Sequence, residues 1–281
     1  MIAPDAPRRR PAERTSLFLH GCYSRILFSS AAFFAPMTIT TAPKDRLIIA
    51  LDLESNREAL ALVDELRGAV GMFKVGHQLF TAYGPDIVRR IIEKGSRVFL
   101  DLKYHDIPNT VATASAEAVK LGVSIFNVHA FGGMDMMKAA AGAARETADK
   151  QGLQRPLVLA VTILTSMDDL ALRRDLKINR SIRREVSHLA KLAQRAGMSG
   201  VVASPQEIKM LRKSVRGSFV ILTPGVRPAW AGKDDQKRVM TPGEATSCGA
   251  DYIVIGRPVL KAADRQAAVE KIVGEIGQHA C

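Results

Sequence analysis

From Arg46 onward one pattern recurs along the chain. A short apolar run ends in a polar or charged residue, and an amphipathic stretch with helical spacing follows. The runs predict strands at residues 47–51, 72–75, 97–102, 124–128, 157–162, 200–203, 219–222 and 252–255. They are apolar and β-branched without clean alternation, which suits strands buried on both faces. The segments between them carry helix signals. Ser55-Asn-Arg-Glu58, Ser204-Pro-Gln-Glu207 and Thr241-Pro-Gly-Glu244 have capping-box spacing, the last two with proline at the first helical position. Gly122 and Gly197 follow helical stretches at points that want a left-handed residue.

Eight such units in about 240 residues predict an α/β fold, a (β/α)8 TIM barrel spanning residues 37–281 as a single domain. A doubly wound open sheet is the alternative. Its dinucleotide-binding version loses support because LDLESN follows the first strand where G-x-G-x-x-G is needed. The chain has no Walker A motif, no G-x-S-x-G elbow and no metal-ligand histidine spacing, and HAFGGMD reads as a turn.

Residues 1–36 differ from the rest. They hold five arginines, no lysine and two acids. Arg8, Arg9 and Arg10 lie between Pro7 and Pro11, against a helix there. The apolar run over residues 26–37 falls short of the roughly 20 residues of a membrane span. A secretory signal and an organelle transit segment compete with a third reading, a disordered or dispensable extension with translation starting at Met37. We adopt the third.

Composition narrows the partners. The chain is 47% hydrophobic and 24% charged, which excludes wholesale disorder. Its net charge of +12 favours anionic partners: a phosphate substrate, nucleic acid or a membrane surface. The 5% aromatic content and the single Trp230 oppose a reader of single strands by base stacking. Cys22, Cys248 and Cys281 form no C-x-x-C pair and no disulfide framework, so a reducing, cytoplasmic location is the simplest reading.

In a barrel, chemistry collects at the C-terminal strand ends. Those ends present Asp52, Lys74, Asp101 with Lys103, Asn127 with His129, Thr165, Ser204, the turn from Pro224 to Arg227, and Gly256-Arg257. Charges placed just after buried apolar strands are costly unless paired or used. The densest group is Asp101-Leu-Lys103-Tyr-His-Asp106, in which Asp101 and Lys103 share a strand face. Lys74 adds a second cation from the neighbouring strand. Such alternation keeps a carboxylate ionised and a lysine protonated in a partly dry site, where an ammonium can protonate a carbanion. A structural salt-bridge network is the alternative. Arg227, Gln236, Arg238 and Gly256-Arg257 read as a phosphate grip after the last two strands. The stretch of about 20 residues from 223 to 242 is long for a connection and reads as a lid, or as an insert with incidental arginines.

These segments resemble the orotidine 5′-phosphate decarboxylase family. ALDLES, FKVG, FLDLKYHDIPNT, NVHAFGG, VTILTSM, LTPGVRP, DQKRVMTP and VIGRPV carry the resemblance, in order, from Leu47 to the last helix. DLKYHDIPNT is specific, VIGRPV alone is weak, and residues 1–36 lie outside. The resemblance implies decarboxylation of orotidine 5′-phosphate to UMP, the last step of de novo pyrimidine synthesis, with no metal and no cofactor. It implies Lys103 as proton donor to pyrimidine C6 and Asp101 beside the departing carboxylate. Lys74 and Asp106 complete the network, Asp106 reaching into the site of a second subunit of a homodimer. It further implies Asp52 and Lys74 on the ribose, Thr110 on ligand across the dimer, and Thr165 near the base. Gln236, Gly256 and Arg257 hold the phosphate, with Arg227 on the same face. His105 belongs to the motif with no role beyond packing. Related barrels that process sugar phosphates with magnesium share an Asp-x-Lys-x-x-Asp pattern, and a basic RNA-binding protein is the competing non-enzyme. Against both, the resemblance implies no nucleic-acid or membrane partner.

Overall fold

The computed structural model describes residues 42–231 and 240–278; residues 1–36, and with them the expected extension, lie outside that range. Among the described residues eight parallel strands pair in chain order, and the first pairs with the last, so the sheet is a closed barrel rather than an open one. The strands are β1 (Leu47–Ala50), β2 (Met72–Gly76), β3 (Val98–Tyr104), β4 (Ile125–His129), β5 (Leu157–Val161), β6 (Gly200–Val202), β7 (Val220–Pro224) and β8 (Tyr252–Ile255). Between and after them run α1 (Asn56–Leu66), α2 (His77–Glu93), α3 (Pro108–Lys120), α4 (Gly133–Gln151), α5 (Asp169–Leu176), α6 (Ile182–Arg195), α7 (Ile208–Ser214), α8 (Pro242–Ser247), α9 (Arg257–Leu260) and α10 (Arg265–Gln278). The expected strands lie within two residues of these bounds. The largest differences are at β3 and β7, each ending two residues later than expected; β3 continues past Leu102 to Tyr104 because the chain bulges there and then resumes pairing with β4.

Two apolar layers follow from the pleat. Ile48 and Ala50 of β1, Phe99 of β3, Ile125 of β4 and Leu222 of β7 fill the barrel interior. Leu47, Ile49, Leu100, Phe126 and Ile221 alternate with them and pack outward under the helices. Every strand is therefore buried on both sides, which is why none of them alternates in sequence.

The expected helix ends are present with one correction. The Ser55 hydroxyl accepts N–H bonds from Arg57 and Glu58, but Glu58 does not return one, so this is an N-cap without the box. Thr241 and Glu244 make the full box, and so do Ser204 and Glu207, there opening a 3-10 turn that leads into α7. Gly122 and Gly197 both adopt φ of 81°.

The N-terminal face of the barrel is held by arginines. Arg97 donates to the Gly71 carbonyl and the Asp45 carboxylate, and Arg212 pairs with Asp251 while donating to the Gly249 and Phe219 carbonyls. These contacts stabilise the fold far from the strand ends where chemistry is expected. Burial also pushes the carboxyl of Glu207 up to about 7. The folded chain then holds a proton that the unfolded chain has released between the ordinary glutamate value and about 7. Stability falls as pH rises through that window. Glu207→Gln keeps an acceptor for the Ser204 N–H and removes the titration. Thermal melts should show the variant more stable than the parent at pH 8, by about 2 kcal/mol, with the gap closing toward pH 5. A gap independent of pH would refute this.

Candidate active site

The carboxyl ends of β1, β2 and β3 bring four charges into one line. Lys74 Nζ lies 3.1 Å from Asp52 Oδ1 and 3.4 Å from Asp101 Oδ2, and Lys103 Nζ lies 2.6 Å from Asp101 Oδ1. The order is acid, base, acid, base. Lys74 is 9% exposed and the Asp101 side chain 14%, so both charges depend on their partners for solvation. Gly76 leaves room for the Lys74 ammonium, since a Cβ there would stand 2.9 Å from Nζ. Burial works to raise the Asp101 pKa. The Lys74 and Lys103 ammoniums, with hydrogen bonds from Lys103 and Asn127, outweigh it and hold the carboxyl below its ordinary value.

A cavity of about 210 Å³ opens over this line. Lys74, Asp101 and Lys103 form its charged wall. Val161, Ile163, Leu164, Val202, Leu222 and Val254 form an apolar wall, with Phe99 and the exposed Thr165 also lining it. A flat ring fits between two such walls, with a reacting atom against the charges and its faces against hydrocarbon. A carboxylate held near Asp101 would meet a like charge in a partly dry site.

The other expected residues fall in three places. Gly256 follows β8 beside β1, where a Cβ would stand 3.3 Å from Ala50 Cβ and 3.5 Å from Asp52 Oδ2. Arg257, half-buried, follows as the first residue of α9, and Arg227 is buried with its backbone N–H donating to the Met240 carbonyl. Asp106 and Thr110 stand apart. Both are exposed, neither lines the cavity, and the Asp106 carboxylate accepts the N–H of Ile107, itself 66% exposed. Gln236 and Arg238 lie outside the described residues.

Asn127 and His129 stood among the strand-end residues of the sequence with no role attached. Asn127 is 1% exposed and bonds both Asp101 and Lys103, and its position at a strand end was the available signal. His105 and His129 lie with ring centroids 5.7 Å apart; burial first, then His105 and Lys103, lowers the pKa of His129. Among the described residues no group of three His, Cys, Asp or Glu side chains is arranged to hold a metal ion, and no helix is long and apolar enough to cross a membrane.

Comparison with known proteins agrees with this geometry. The family model described as orotidine 5′-phosphate decarboxylase / HUMPS family matches residues 45–272. An orotidine 5′-phosphate decarboxylase of Moorella thermoacetica is 52% identical over 233 residues, covering 83% of this chain and 92% of the relative. One of Geotalea uraniireducens is 53% identical over 233 residues, covering 82% and 95%. The crystal structure of orotidine 5′-phosphate decarboxylase from Lactobacillus acidophilus superposes with a TM-score of 0.73 at 37% identity, covering 82% of this chain and 97% of that one. A match over most of the chain, at about half identity and with the same barrel, makes this protein a member of the orotidine 5′-phosphate decarboxylase family.

Proposed function

We propose that residues 37–281 decarboxylate orotidine 5′-phosphate to UMP, the last step of pyrimidine biosynthesis, without metal or cofactor, and that residues 1–36 are dispensable for it. The observation that carries this reading is the Asp52–Lys74–Asp101–Lys103 line along one wall of the cavity. The bond from C6 to the carboxyl carbon breaks, carbon dioxide leaves, and the electron pair stays on C6. Lys103 Nζ stabilises that pair as it forms and then supplies the proton. Asp101 stands beside the departing carboxylate and raises its energy in the bound state. Asp52 and Lys74 receive the ribose hydroxyls, and Thr165 contacts the base. Gly256, Arg257, Arg227 and Gln236 hold the phosphate, whose binding energy orders the charges.

Asp106 and Thr110 act from a second copy in a homodimer, with Asp106 completing the alternating network there. Their exposure and their absence from the cavity lining support this arrangement. Free Cys248 suits a cytoplasmic location.

The direct test follows the absorbance change of orotidine 5′-phosphate with the full chain, before and after EDTA. Turnover unaffected by chelation is expected. No turnover, or turnover of a sugar phosphate that EDTA abolishes, would overturn the reading. The dimer has its own test. Lys103→Ala and Asp106→Asn should each be inactive, and mixing them should return roughly a quarter of native activity, because about half the random dimers are mixed and each has one intact site. No recovery after verified subunit exchange would exclude a shared site.

A further inference from the structure

We infer that Asn127 is a positioning residue for the reaction, one that holds Asp101 and Lys103 in working geometry by replacing the strand ladder where β3 bulges. The inference rests on the decarboxylase reading above.

The pairing of β3 with β4 shows why such a residue is needed. From Leu100 to Tyr104 the chain of β3 advances four residues, while its partner advances two, from Phe126 to Val128. Asp101, Leu102 and Lys103 therefore stand opposite Asn127 alone. A bulge of this kind strips backbone groups of their ladder partners. Lys103 also takes φ of 49°, a left-handed conformation that a residue with a Cβ seldom adopts. No glycine relaxes it, so neighbouring contacts must hold it.

Asn127 supplies those contacts. Its Oδ1 accepts the backbone N–H of Lys103 at 2.8 Å, and its Nδ2 donates to Asp101 Oδ1 at 2.7 Å. Only one orientation of the amide can do this, because an N–H can only donate and a carboxylate can only accept. One side group thus fixes the main chain of the proposed proton donor and the carboxylate beside it. Asp101 Oδ1 is shared by Asn127 and Lys103, which leaves Oδ2 toward Lys74. A side chain 1% exposed on a strand has little freedom to shift, so the two contacts are rigid. The charged and titratable groups around the amide are Asp101 and Lys103 on β3, Lys74 on β2 with Asp52 beyond it, and the titratable His129 two residues along β4. From β5, Leu159 and Val161 are apolar.

The test compares two variants with the parent in the full-length chain. Asn127→Leu keeps the approximate shape and removes both hydrogen bonds. We expect kcat to fall about 100-fold while KM and the UMP dissociation constant stay within about threefold, since the loss falls on geometry needed in the transition state. A residue that merely fills the core would lower the melting temperature and leave kcat at 25 °C near the parent value. Should Asn127→Leu fail to fold, Asn127→Asp decides. It keeps the acceptor for the Lys103 N–H but sets a second carboxylate against Asp101. We expect at least about a tenfold loss of kcat at pH 8, recovered in part toward pH 6 as one proton restores a donor to Asp101. A kcat within about threefold of the parent with an unchanged pH profile would overturn the inference, and so would a loss of UMP affinity equal to the loss of kcat. Lys103→Ala is assayed alongside. Full turnover in that variant sinks the decarboxylase mechanism itself. An inactive Lys103→Ala beside parent-like Asn127 variants sinks only the role given to Asn127.

Discussion

Lys103→Ala should fold, bind UMP nearly as well as the parent and lose roughly 10³-fold or more in kcat. The backbone at this position favours folding. Alanine keeps the Cβ and the N–H, so the bond to Asn127 Oδ1 remains and the strain of the left-handed residue is unchanged. What disappears is the ammonium 2.6 Å from Asp101. Asp101 keeps Lys74 at 3.4 Å and the Asn127 amide, so the carboxylate is not orphaned. The chemical loss is larger than the structural one. In the proposed mechanism, removing Nζ leaves the electron pair on C6 with no proton donor facing it. Product has no such charge, so its affinity should change little. Steady-state kinetics, a UMP titration and a thermal melt separate these terms. A near-native kcat would remove Lys103 from the mechanism, and matching falls in UMP affinity and melting temperature would show that the residue is structural.

The barrel was legible because its signal is periodic. Eight apolar runs separated by helical spacing leave two topologies that bury both faces of the strands, a closed barrel and a doubly wound sheet, and LDLESN in place of a glycine fingerprint after the first run weighed for the barrel. The line of charges was legible for a related reason: Asp52, Lys74, Asp101 and Lys103 each interrupt an apolar run at or near its C-terminal end. How Asp101 and Lys103 come to face the same cavity was not. Two-residue alternation predicts it for a regular strand, yet β3 reaches it through a bulge and a left-handed lysine, and no glycine in DLKYHD marks either. The apolar wall was equally hidden. Val161, Val202, Leu222 and Val254 line the cavity, but in sequence they look like any barrel-filling residue. Glu58 shows the opposite error, since capping-box spacing was present and the return bond was not. Spacing reports what a side chain can reach, while the partner it takes is decided by the solvent and neighbours around it.

Arg257→Ala tests the other end of the site. Arg257 begins α9 directly after Gly256, where β8 closes against β1, and Asp52 stands just across that seam. A nucleotide whose ribose meets Asp52 and Lys74 would carry its phosphate toward this seam, and its base toward Lys103. Arg257 is then a phosphate ligand that never touches the reacting ring. Loss of a charge-assisted, partly buried contact should lower kcat/KM for orotidine 5′-phosphate by roughly 2–4 kcal/mol, or about 30- to 1000-fold, mainly through KM. Turnover of the phosphate-free nucleoside should be nearly the same in variant and parent, because that substrate presents nothing for the guanidinium to hold. Added phosphite should speed nucleoside turnover in the parent by filling the vacant phosphate position, and do so less in the variant. A strong loss with orotidine 5′-phosphate, none with the nucleoside and weakened phosphite activation together assign the contact to phosphate. If kcat/KM for orotidine 5′-phosphate is unaltered, the β8–α9 turn does not hold the phosphate, and the substrate must lie across the barrel mouth in another direction.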